Sequence, residues 1–168
     1  MKNIPVLRNS LFLMVMCSFL FMTPVQAAGT VSAVGGVPEG AQIFWKEFRA
    51  AVLDILSDKG KLNKDATVIA MTKFPFKTRG DLDSDPERSY DKEAFLKLFK
   101  TIFNQYDRRA QKIISEVMKE RPSLIAKNVH GSKMFRIENL VFKEQDDGKW
   151  LFTFAYVLED DVKSLFGK

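Results

Sequence analysis

Between residues 95 and 106, large apolar side chains recur at spacings of three and four: Phe95, Leu98, Phe99, Ile102, Phe103 and Tyr106. That is the period of one helix face, and a face this wide and aromatic must be covered. Whatever the chain folds into has to lay an apolar surface of matching size across it. Ser89 or Asp91 is placed to cap the helix, and Glu93 sets negative charge in its first turn, where the helix dipole favours it. Ala110, Ile113, Ile114, Val117 and Met118 continue a helical period as far as Pro122. The polar stretch from Asn104 to Arg109 predicts a break, giving two helices at an angle in place of one rod.

The covering surface is predicted downstream. Phe135 to Glu144 and Lys149 to Leu158 are two β-rich runs joined by Gln145-Asp146-Asp147-Gly148, and Asp-Gly between such runs signals a hairpin. In the second run Trp150, Phe152, Phe154, Tyr156 and Leu158 alternate, which assigns them to one face. Leu151, Ala155 and Val157 make the other face apolar too, as in a strand inside a sheet. Upstream, Phe44, Phe48, Ala51, Val52 and Ile55 form a helix face beginning near Gln42. Ala66, Val68, Ile69 and Met71 predict a second helix ending near Lys73, after which Pro75 turns the chain into a short strand, Phe76 to Arg79. An acidic loop, Gly80 to Glu87, separates this strand from the aromatic helix. Helices precede strands without βαβ alternation, so the fold class is α+β.

The first 27 residues have the form of a secretory leader. Lys2 and Arg8 supply a positive start, Leu11 to Met22 is apolar but for Ser18, and Val25-Gln26-Ala27 ends in a residue that signal peptidase accepts. The run is too short for a membrane-spanning helix, which takes about 20 residues. The expectation is a periplasmic or secreted protein cut near Ala27, not membrane-spanning once the leader is gone. Residues 28–40 then form a flexible lead-in, 41–160 a single α+β domain and 161–168 a tail. Cys17, the only cysteine, lies in the leader, so the mature chain has no thiol nucleophile, disulfide or cysteine metal site. The leader also carries off Lys2 and Arg8, leaving a balance milder than the +5 of the whole chain and no footprint of a nucleic-acid partner.

Three segments together carry a resemblance. Phe44-Trp45-Lys46-Glu47-Phe48-Arg49-Ala50-Ala51 opens a first helix, Met71-Thr72-Lys73-Phe74-Pro75-Phe76 ends a second, and Tyr90-Asp91-Lys92-Glu93-Ala94-Phe95 leads into a third with Ile102-Phe103 near its end. From about Gln42 to Leu158 this resembles small secreted bacterial proteins of the nuclear transport factor 2-like, or cystatin-like, superfamily. The resemblance implies N-terminal helices packed in a curved antiparallel sheet, a cone-shaped roll. That superfamily holds isomerases, dehydratases and non-enzymatic binding domains, so the fold alone does not choose among them. Its enzymes rely on a buried carboxylate or a His-Asp pair at the cone's base, and no residue set here lines up with such a motif.

Individual candidates are weak as catalytic groups. His130, the only histidine, sits among Val129, Gly131 and Ser132 in an apparent turn, and one histidine without cysteine cannot build a zinc site. Asp81, Asp83 and Asp85 have the spacing that opens a calcium loop, but Pro86 stands where glycine is needed and Lys92 where the bidentate acid belongs. Lys133 breaks any nucleophile pattern around Ser132. Arg108, Arg109 and Lys112 form a basic patch that reads as a solvated helix face or, if functional, suits an anionic ligand or acidic partner. Aromatic residues are the stronger candidates: Tyr106, Trp150, Phe152 and Tyr156 are predicted to line a ligand pocket at the open end of the cone. The sequence calls for no cofactor and no metal. It predicts a non-enzymatic domain binding a small apolar or amphipathic ligand or a partner protein. The alternatives are a cavity-based isomerase or dehydratase, and an immunity- or inhibitor-type interaction protein.

Overall fold

Pro38 fits the entry to a helix because its fixed φ needs no partner for the missing N–H. Helix α1 follows directly, Glu39–Leu56, with Ala41, Phe44, Trp45, Phe48 and Val52 buried along one stripe. The computed structural model describes residues 36–57, 63–82, 84–131 and 133–167, all within one unit spanning Ser32–Lys168. The predicted leader and residues 28–35 of the lead-in lie outside the described residues. Among the described residues no helix is long and apolar enough to cross a membrane.

Helix α2, Asn63–Ala70, gives way to strand β1, Thr72–Arg79, four residues earlier than predicted. The Thr72 hydroxyl donates to the Val68 carbonyl at 2.7 Å, tying the end of α2 and leaving the backbone extended from that point. A strand the sequence hid, β2 at Arg88–Tyr90, pairs antiparallel with β1 through Phe76↔Tyr90 and Thr78↔Arg88. Ser89 is therefore a strand residue, and Asp91 is the cap of helix α3, Lys92–Asn104, accepting from the Ala94 N–H at 2.8 Å. The break after α3 holds a small ribbon, β3 at Tyr106–Asp107 and β4 at Lys112–Ile113, before helix α4 runs over Ile114–Glu120. Ala110 and Ile113 thus lie in the ribbon and do not extend a helix.

The predicted run from Phe135 to Glu144 is two strands, β5 at Met134–Ile137 and β6 at Leu140–Glu144, turning at Glu138, whose φ is +47°. A glutamate rarely takes that left-handed conformation, so the sequence held no turn signal there. The Asp-Gly hairpin forms as predicted, with Gly148 at φ +79° leading into β7, Trp150–Tyr156. Helix α5, Glu159–Phe166, replaces the expected tail. Glu159, Asp160 and Asp161 occupy its first turn, where the dipole favours them, and Gly167 closes it in the left-handed conformation. Val162 is buried, the Phe166 ring lies 5.6 Å from Tyr90, and Arg88 pairs with Glu159 at 2.8 Å.

These elements form an α+β fold around a curved five-stranded sheet ordered β2-β1-β7-β6-β5. The sheet is mixed and not antiparallel: β1 and β7 run parallel. Parallel neighbours need a crossover, and here everything from β2 to β6 intervenes before the last strand settles beside the first. Their pairing is irregular between Thr72 and Lys77, the stretch with Pro75, which has no N–H for the ladder.

A second irregularity decides which rings are core. Val141 faces Phe154 while Phe142 faces Phe152, so β7 inserts Thr153 as one extra residue. Such a bulge shifts the alternation by one. Trp150 and Phe152 point into the core, as do Ala155 and Val157, while Phe154 and Tyr156 pack edge-to-face on each other, half-buried on the opposite face. The predicted common face for Trp150 through Leu158 is thereby split. Phe152 meets the rings of Phe48, Phe76, Phe95, Phe103 and Phe142 at 4.7 to 6.4 Å, so α1, α3 and the sheet interlock through it. Helix α4 is held from α1: the Trp45 indole donates to the Arg121 carbonyl at 2.9 Å, and Arg49 donates to the carbonyls of Met118 and Lys119. A guanidinium at a helix C-terminus satisfies carbonyls with no partner inside the helix.

Candidate functional site

The break between α3 and α4 builds one wall of a cleft. Gln105 ends α3, and its side-chain amide donates to the Tyr156 carbonyl at 2.8 Å, fastening the break to the end of β7. Asp107 is almost fully buried, and its Oδ1 accepts from the backbone N–H groups of Arg109 at 2.8 Å and Ala110 at 2.7 Å. The carboxylate thus folds the ribbon turn around itself. Arg108 and Arg109, at the tip of that turn, remain exposed and enter no ion pair among the described residues.

The opposite wall comes from the sheet. The Arg136 guanidinium lies 4.6 Å from the centre of the Tyr156 ring, a cation–π contact, and its Nε donates to the Glu138 carbonyl. Those two partners hold the group in place while leaving its charge unneutralised. Between the walls lies a cleft of about 370 Å³ lined by Arg108, Arg109, Arg136, Tyr106, Tyr156, Asn139 and Leu158, together with Gln105 and the carboxylates of Asp81 and Asp107. A second hollow of about 230 Å³ adjoins it, sharing Arg109 and Arg136 and adding Arg121, Lys127, Asn128, His130 and Glu138. Glu138 is committed to Arg121 at 2.5 Å. Asn128 is structural: its side chain accepts from the Ile125 N–H and donates to the Arg136 carbonyl, both at 3.2 Å.

Of the four predicted ligand-binding residues, Tyr106 and Tyr156 line the cleft. Trp150 and Phe152 do not: both are buried on the core face, and the Thr153 bulge puts Tyr156 on the opposite one. Two members of the predicted basic patch, Arg108 and Arg109, belong to the cleft, whereas Lys112 is spent on Glu120 at 2.5 Å. Neither is on a helix, as the reading of a solvated helix face required. Arg136 and Asn139 carried no sequence signal, since only the unforeseen turn at Glu138 brings them beside Tyr156. His130 borders the second hollow, and among the described residues nothing bonds to its imidazole. In the acidic loop Asp85 serves its own turn, accepting from the Leu82 N–H at 2.9 Å, and Asp83 and Ser132 lie outside the described residues. A Cβ on Gly80 would fall 2.1 Å from the Asp85 carboxylate, so a larger residue there would have to displace that side chain.

Chemically the cleft offers three guanidinium groups free of carboxylate partners, with two phenol rings as a platform. Guanidinium binds carboxylate and phosphate in a two-pronged geometry that lysine cannot match. Comparison with known protein families, with curated proteins and with solved structures returns no match for this chain.

Proposed function

We propose that this is a non-enzymatic binding domain whose ligand presents a carboxylate or phosphate to Arg108, Arg109 and Arg136. The convergence of those three unpaired guanidinium groups on a cleft beside Tyr106 and Tyr156 carries the reading. The lining favours an anion with a planar or short apolar body over a purely apolar ligand. The interlocked phenylalanines of the interior favour a surface cleft over a reaction chamber at the base of a cone. Cone-type architecture of the nuclear transport factor 2-like kind is part of this proposal, supported by helices covering one face of a curved sheet. So is action in the periplasm or outside the cell after cleavage near Ala27, which an intact mass of the purified secreted form tests directly.

The binding claim is tested by adding benzoate or inorganic phosphate at low salt to isotope-labelled protein. Amide shifts should cluster at residues 106–110 and 136–139, weaken as ionic strength rises, and vanish in the Arg109→Ala/Arg136→Ala double variant. Shifts scattered over the surface, or unchanged in the double variant, would sink the assignment.

A further inference from the structure

We infer that the cleft recognises a small zwitterion, an amino-acid-type molecule whose ammonium meets Gln105 and Asp107 while its carboxylate meets the arginines. This rests on the anion-binding reading above and specifies its ligand. Gln105 and Asp107 both line the cleft and are only 6% and 3% exposed. Gln105 is extended, with ψ at 148°, and Tyr106–Asp107 is strand, so side chains 105 and 107 share one side of the chain. Tyr106 between them is exposed. One polar atom of each buried residue is committed to the fold. The Gln105 amide nitrogen donates to the Tyr156 carbonyl, and Asp107 Oδ1 accepts from the N–H groups of Arg109 and Ala110. The remaining oxygens, Gln105 Oε1 and Asp107 Oδ2, have no hydrogen-bond or ion-pair partner among the described residues. No side-chain oxygen sealed from solvent lacks a partner among those residues, so both oxygens keep an opening. Buried acceptors of this kind are costly until a donor reaches them. The arginines of the cleft do not supply one, since none forms an ion pair with Asp107. An ammonium carries three N–H donors and serves both oxygens at once. A simple anion leaves them unmet and is repelled by the Asp107 charge. Asp107 immediately precedes Arg108 and Arg109 and shares their cleft, which favours opposite charges carried on one short skeleton. Tyr106 and Leu158, both exposed there, offer contact to an apolar body.

Calorimetric titration at neutral pH with phenylalanine, 3-phenylpropanoate and 2-phenylethylamine tests this, because the three share a skeleton and differ in their charged groups. Phenylalanine should bind roughly ten-fold or more tightly than phenylpropanoate, the worth of a hydrogen bond between charged groups. Asp107→Asn keeps an oxygen for the two backbone amides and puts an NH2 group where Oδ2 stood. It should weaken phenylalanine and tighten phenylpropanoate, erasing the difference between them, while the amide signals of Arg109 and Ala110 confirm that the turn is intact. Equal affinity for phenylalanine and phenylpropanoate in the unaltered protein refutes this inference alone, whether or not the variant folds. So does an advantage that survives in folded Asp107→Asn. Binding of neither carboxylate, or of phenylethylamine more tightly than phenylalanine, refutes the anion-binding reading as well.

Discussion

Phe152 and Phe154 are the same residue type, two positions apart on one strand, yet their removal should have very different consequences. Simple alternation would place both on one face, and the extra residue at Thr153 places them on opposite ones. Phe152 has no exposure and five ring partners drawn from α1, α3, β1 and β6. Helices and sheet enclose it on both sides, so truncation leaves a cavity that cannot easily collapse. Phe152→Ala should cost about 4–5 kcal/mol, the upper part of the range for a buried phenylalanine. Phe154 has one ring partner, Tyr156 at 4.9 Å, and is half-buried. Fully burying a phenylalanine side chain is worth about 1.5–3 kcal/mol, so losing about half of that burial together with part of one edge-to-face contact costs about 1–2 kcal/mol. The gap of about 3 kcal/mol is readable in urea unfolding followed by tryptophan fluorescence, as a difference of roughly 1.5–2 M between midpoints at an ordinary slope. Phe152→Leu, at about 1–2 kcal/mol, stays measurable if the alanine variant is too unstable to purify. Equal losses at the two positions, with unchanged slopes, would refute the bulge and the division of rings between core and outer face.

Other outcomes follow from single contacts. Asp91→Ala removes the side-chain acceptor of the Ala94 N–H and should destabilise the fold by about 1 kcal/mol, whereas Asp91→Asn should recover most of the loss in the same unfolding assay. The Asp147 carboxyl should titrate below the ordinary aspartate range, because the Lys149 backbone N–H donates to it at 3.1 Å and the Lys149 side chain adds to the effect. A group with a lowered folded pKa stabilises above its unfolded pKa and loses that contribution as pH falls through the folded value. Since the pair is exposed, the effect on stability should be small and fade with salt, and a carbon-detected titration of Asp147 that shows no depression would contradict the hairpin geometry.

Legibility in the sequence tracked the distance over which each feature is decided. The α3 stripe and the Asp-Gly hairpin are settled by neighbours within a few residues and formed where the pattern placed them, except that Tyr106 falls beyond the helix and is exposed; of the two caps the pattern allowed, Asp91 is the one used. The break after Asn104 was visible as lost periodicity, but its ribbon was not, because it depends on one buried carboxylate gathering two nearby amides. Helix α5 was hidden because Glu159-Asp160-Asp161 reads equally as the end of a strand or the start of a helix, and packing against Tyr90 and Arg88 decides between them. Arg108, Arg109, Tyr106 and Tyr156 stood out as residue types, whereas Arg136 became a site residue only through a turn that a glutamate makes at positive φ.

By itself the amino-acid order determined the α+β class, the aromatic helix and the final hairpin. These follow from local periodicity and turn chemistry, which act between residues close along the chain. Tertiary structure alone decided that β7 lies parallel to β1, that one inserted threonine sends Phe154 and Tyr156 away from Phe152, and that three arginines converge on one cleft. Each of those depends on side chains far apart in sequence competing for the same space or the same backbone partner. No window of consecutive residues contains that competition.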